Sequence, residues 1–84
     1  MNFPIVVEVS LRAGIADPEG ATIERALPAL GFVGVTNVRA GKAFRFTIEA
    51  ASEQDALDRA GALAERLLSN PVIEQSTVRV DGAS

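Results

Sequence analysis

Residue types that perform covalent chemistry are sparse in this chain, and the gaps carry information. Its 84 residues include no histidine and no cysteine. Ser–His or Cys–His nucleophile pairs and the usual zinc cages therefore cannot be built from this chain alone. The lack of cysteine also rules out a disulfide framework and thiol chemistry. Carboxylates do occur in pairs, Glu19 with Glu24 and Asp55 with Asp58, but each pair falls on a helical stretch beside arginines. Solvated helix surface accounts for such pairs better than acid–base work does. Gly41-Lys42 invites comparison with a phosphate cradle, yet it lacks the upstream glycine and the Ser/Thr of G-x-x-x-x-G-K-[ST]. No self-sufficient active site is read here.

One stretch offers binding in place of reaction. Lys42-Ala43-Phe44-Arg45-Phe46-Thr47-Ile48 superficially matches the RNP1 pattern, whose aromatics stack bases on a sheet surface. Against it, the first strand supplies no partner aromatic beyond Phe3, and the net charge is −3. That balance argues against general affinity for nucleic acid or anionic membrane. An RNA-binding module stands as one alternative. A ligand-sensing domain of the ACT type is another, on fold analogy alone.

The elements that position these residues follow from periodicity. In Val38–Glu49 the even positions are apolar apart from Lys42, and the odd ones are mostly polar or small. This is a half-covered antiparallel strand. Parity permits one long strand or a hairpin with a three-residue loop at Gly41–Ala43, and disfavours a two-residue turn. A single strand bent near Gly41 is the expectation, since glycine within a strand marks a bulge or close backbone approach.

Phe3 to Arg12 reads as the first strand, with Ile5, Val7, Val9 and Leu11 on one face. Asp17-Pro18-Glu19-Gly20 opens a helix: Asp17 caps, and Pro18 suits the first helical position. Ile23, Ala26, Leu27 and Leu30 form its stripe; Pro28 makes the last turn irregular, and Gly31 stops it. Ser52 caps a second helix, whose stripe runs Ala56, Leu57, Ala60, Leu63, Ala64, Leu67 and Leu68. Asn70-Pro71 ends it, Val72–Val80 is the last strand, and Asp81–Ser84 is a frayed tail. The order is β-α-β-α-β: an α+β two-layer sandwich, both helices burying on one face of a three-stranded antiparallel sheet.

A chain of this size builds one domain, expected over 1–84, with a thin core. Yet 48% of its residues are apolar, which implies apolar surface buried against a partner. Exposed sheet edges point the same way, toward an antiparallel dimer. No apolar run approaches a membrane span and no signal-like segment opens the chain, so the cytoplasm is the expected compartment.

Five stretches in register resemble the PurS family, the small subunit of phosphoribosylformylglycinamidine (FGAM) synthase. They are Val7–Arg12, then Asp17-Pro18-Glu19-Gly20 followed by Ala26-Leu27, then Val35–Lys42, Phe46–Glu49 and Leu67–Glu74. The resemblance implies a non-catalytic role in de novo purine synthesis. A glutaminase subunit (PurQ) releases ammonia, and a synthetase subunit (PurL) uses ATP and Mg²⁺ to convert FGAR to FGAM. PurS-like chains bridge the two as a homodimer, or a tetramer built from it, and assist ammonia transfer. No cofactor, nucleic acid or membrane is implied for this chain itself. By matching position, the implied subunit-contact residues are Arg12, Asp17, Pro18 and Gly20, then Arg39, Gly41 and Lys42, then Asn70, Pro71 and Glu74. Lys42 stands out as a cation interrupting an apolar face, although lysines at strand ends also snorkel.

Overall fold

The computed structural model describes residues 1–82. Strand β1 (Asn2–Leu11) is central, flanked by β2 (Gly41–Glu49) and β3 (Glu74–Val80), both antiparallel to it. The register pairs Val7 with Phe44 on one side and Val78 on the other, and Ile5 with Phe46 and Val80. One face thus collects Ile5, Val7, Val9, Phe44, Phe46, Ile48, Val78 and Val80, as the alternation requires. β2 is a single strand with no hairpin at Gly41. A Cβ added at Gly41 would lie 2.8 Å from the Val9 carbonyl oxygen, so glycine there permits a close backbone approach.

Helix α2 (Glu53–Leu63) covers this face and runs on into a π-helical turn over Ala64–Leu68. Two side chains fasten its start: Ser52 Oγ accepts from the Asp55 N–H, while Asp55 Oδ2 accepts from the Ala51 N–H just before the cap. The helix presents Ala56, Ala60 and Ala64, all fully buried against Ile5, Val7 and Val9. Methyl-sized side chains let helix and sheet approach closely, and burying each aliphatic strand residue contributes about 1.5–3 kcal/mol. On the opposite face Val6 is also fully buried. Its cross-strand partners are Arg45 and Arg79, whose aliphatic stems are long enough to shield it.

Helix α1 (Pro18–Ala26) takes a different place. The expectation that both stripes bury on one sheet face holds for α2; within one chain α1 stands beyond the end of the sheet. Only Gly20 of this helix is buried, and Ile23 is exposed. The molecule is accordingly long and thin, 50 × 32 × 14 Å, with a radius of gyration of 16.0 Å, against about 12 Å for a compact chain of this length. Pro28 starts a 3-10 turn, Pro28–Leu30, closed by Gly31 in the left-handed region, so the irregular last turn and its stop fall where the sequence places them.

Two strands start later than their sequence patterns. β2 begins at Gly41 because the Val38 and Ala40 N–H groups are taken by the Glu24 and Asp17 carboxylates, and Asn37 is left-handed at φ 59°. β3 begins at Glu74 because Asn70–Ile73 forms a turn, in which the Val72 N–H donates to Asn70 Oδ1. The expected tail is partly ordered: the Asp81 N–H donates to the Pro4 carbonyl, and its carboxylate lies 3.7 Å from Arg45 and 4.0 Å from Arg79. Ala83 and Ser84 lie outside the described residues.

Candidate functional site

Antiparallel pairing brings the C-terminal end of β1 beside the N-terminal ends of β2 and β3. All ten positions singled out in the sequence, drawn from three separate stretches, therefore converge on one end of the sheet. Two small constellations form there.

The first is centred on Asp17, whose side chain is only 6% exposed. Oδ1 accepts from the Gly20 N–H at 3.0 Å, and Oδ2 accepts from the Ala40 N–H at 2.7 Å. These two backbone donors, helped by the Arg39 guanidinium at 3.8 Å, hold the carboxyl below its ordinary value of 3.8. Arg39 itself reaches the carbonyls of Leu11, Arg12 and Ile15 at 3.3–3.5 Å. Gly20 is fixed by space, since a Cβ there would sit 2.5 Å from the Val38 carbonyl oxygen. Pro18, Gly41, Lys42 and Glu74 line a shallow groove beside Asp17. The Lys42 ammonium lies 5.7 Å from the centre of the Phe44 ring, a cation–π distance.

The second constellation ties the last turn to the first strand. Arg12 Nε donates to the Pro71 carbonyl at 3.0 Å, and the Arg12 N–H donates to the Ile73 carbonyl at 2.8 Å. Glu74 Oε1 accepts from the Asn70 N–H at 2.7 Å, while the Glu74 N–H donates to the Asn70 carbonyl at the same distance.

Sequence reasoning missed Glu24, which it assigned to solvated surface. Its Oε1 accepts the Val38 N–H at 2.9 Å, across 14 residues of chain. Nothing in local spacing signals that partnership.

The arrangement positions backbone; it does not gather reacting groups. Among the described residues there is no cluster of three or more His, Cys, Asp or Glu side chains able to hold a metal. Phe44 and Phe46, the aromatics of the RNP1-like stretch, lie on the face that carries α2 and are partly buried against its core. Among the described residues no helix is long and apolar enough to cross a membrane.

Residues 4–82 match the family model PurS, phosphoribosylformylglycinamidine (FGAM) synthase. The chain belongs to the PurS family. FGAM synthase subunit PurS of Archaeoglobus fulgidus is 42% identical over 72 residues, spanning 86% of this chain and 90% of that one. The Mycobacterium leprae PurS subunit is 44% identical over 73 residues, 87% and 89% of the two chains. The crystal structure of the Thermotoga maritima purS subunit superposes with a TM-score of 0.87 at 34% identity, covering 95% of this chain and 92% of that one. A chain of the Thermotoga maritima PurLQS structure matches at a TM-score of 0.86 and 34% identity, with 95% and 98% covered. A PurS chain is the small subunit of FGAM synthase, a ligase of purine biosynthesis.

Proposed function

We propose that this PurS-family chain, acting as one unit over 1–84, works as a homodimer that bridges a PurL-type synthetase and a PurQ-type glutaminase. In that setting the ATP and Mg²⁺ chemistry and the glutamine hydrolysis belong to the other subunits, in the cytoplasm. This chain holds the two in register and assists ammonia transfer between them. The observation that carries the reading is its likeness, along nearly its whole length, to a chain of the PurLQS assembly.

The convergent sheet end is the contact region in this reading. Arg39 and Lys42 present cations beside Asp17 and Pro18, and Arg12 anchors the Asn70-Pro71 turn with Glu74. Gly20 and Gly41 set the backbone approach that shapes it.

The test is reconstitution. Glutamine-driven FGAM formation by the synthetase and glutaminase is measured with and without this chain, alongside ammonia-driven turnover. The bridging role expects the glutamine-driven rate to collapse without the chain while the ammonia-driven rate changes far less. Equal glutamine-driven rates would end it.

A further inference from the structure

Regular α-helical spacing puts Leu67 on the inward stripe of α2, three residues after the fully buried Ala64. Its side chain is nevertheless 75% exposed, while Leu68 packs against the core. The π-helical turn over Ala64–Leu68 makes that exchange. With i→i+5 bonding each turn holds more residues, so a side chain four positions on stays in line and one three positions on swings outward. Ser69 closes the turn, its N–H and its Oγ both donating to the Ala64 carbonyl at 2.9 Å. Such turns are rare and gather at functional sites. This one withholds a leucine from a thin core and displays it.

A second display follows on the same corner. Val72, five residues on, is 80% exposed, and Ile73 is 38% exposed. The turn that carries them is pinned, since the Val72 N–H donates to Asn70 Oδ1 and Arg12 Nε donates to the Pro71 carbonyl. An apolar group held outward by its own backbone can be bound at little ordering cost. Arg66, beside Leu67, is exposed and makes no hydrogen bond or ion pair among the described residues. Glu65 lies on the other flank, in a groove with Arg12 and Pro71.

The size of the display says what it fits. At roughly 100 Å² for each fully exposed side chain, the three offer on the order of 200 Å². Each partner in a stable interface gives about 800 Å², so two copies meeting at this corner alone would bury too little to stay together. It suits an anchor within a wider contact on a larger surface.

Resting on the bridging reading above, we propose that this corner docks one of the two larger subunits, through an apolar side chain on that subunit with a carboxylate beside it. The apolar group seats against Leu67 and Val72. The carboxylate meets Arg66 at the rim, where an ion pair steers association and fixes register.

Calorimetric titration of the full chain against the PurL-type and the PurQ-type subunit, each in turn, tests this. Leu67→Ala combined with Val72→Ala should raise the dissociation constant for one subunit at least about 10-fold and leave the other unchanged. Arg66→Glu should weaken the same subunit by at least about 10-fold. Should the paired variant lose its circular-dichroism spectrum, Arg66→Glu alone decides. Wild-type affinity for both subunits in every variant overturns the docking corner and leaves bridging standing. Equal losses for both subunits, or altered self-association with both affinities intact, also overturn it. A wild-type chain that binds neither subunit, singly or mixed, overturns bridging as well.

Discussion

The carboxylate of Asp17 accepts the N–H of Ala40 at 2.7 Å, joining two residues 23 positions apart. Its other oxygen caps α1 at Gly20. One side chain therefore starts the helix and fastens the approach to β2, which couples the placement of α1 to the charge on a single group.

That coupling has a pH signature. The folded-state carboxyl is depressed by the Gly20 and Ala40 donors and by Arg39. Its contribution to stability is complete above the ordinary aspartate value and fades as pH falls through the lower folded value. Asp17→Asn should be less stable than wild type at neutral pH, because its amide nitrogen meets a backbone donor where an acceptor is needed. The gap should narrow as pH falls from the ordinary aspartate value through the lower folded one. Urea melts of both proteins across that range check it; a constant gap would contradict the assignment.

Gly20→Ala should be costly despite the helix-favouring nature of alanine. The added methyl meets the Val38 carbonyl oxygen, and overpacking of this kind costs about 1–3 kcal/mol. Gly61→Ala is the control, since a Cβ there meets nothing within 4 Å, and a gain of about 0.5–1 kcal/mol is expected. Opposite signs in thermal melts support the geometry.

Core and surface should separate sharply. Ile5→Ala opens the fully buried centre beneath α2 and should cost about 2–5 kcal/mol. Leu67→Ala, at a side chain 75% exposed, should stay within about 0.5 kcal/mol. Equal losses in chemical denaturation would place the core elsewhere.

Removing the Arg12 side chain should loosen the Asn70-Pro71 turn without unfolding the sheet. Arg12→Ala deletes the bond to the Pro71 carbonyl, worth about 1 kcal/mol, while the backbone bond from Arg12 to Ile73 survives. Hydrogen exchange should accelerate at Val72 and Ile73 and stay slow at Val6 and Val7. Acceleration throughout β1 would show that the turn holds up the sheet.

The strands and α2 were legible because alternation and helical spacing are local properties, and Ile5, Val7, Val9 with Ala56, Ala60, Ala64 display them openly. Asp17 and Ser52 likewise act on amides three residues away. The placement of α1 was not legible. A stripe such as Ile23, Leu27 and Leu30 says that a face seeks cover, but not which surface supplies it. Glu24 escaped notice for the same reason, since its partner Val38 is a long-range neighbour. Convergence of Arg12, Arg39 and Glu74 became visible only once strand order put three strand ends together.

At Ala56, Ala60 and Ala64, α2 offers only methyl groups to the Ile5, Val7 and Val9 side chains of β1. Such a seam behaves as a hard stop, with no long side chain to act as a cushion. A larger residue at Ala60 would wedge the helix off the sheet, straining the neighbouring Arg59 clasp on the Glu49 carbonyl. The middle of the helix is thus geared to the last residue of β2, and a single bulky side chain there would register at the far end of that strand.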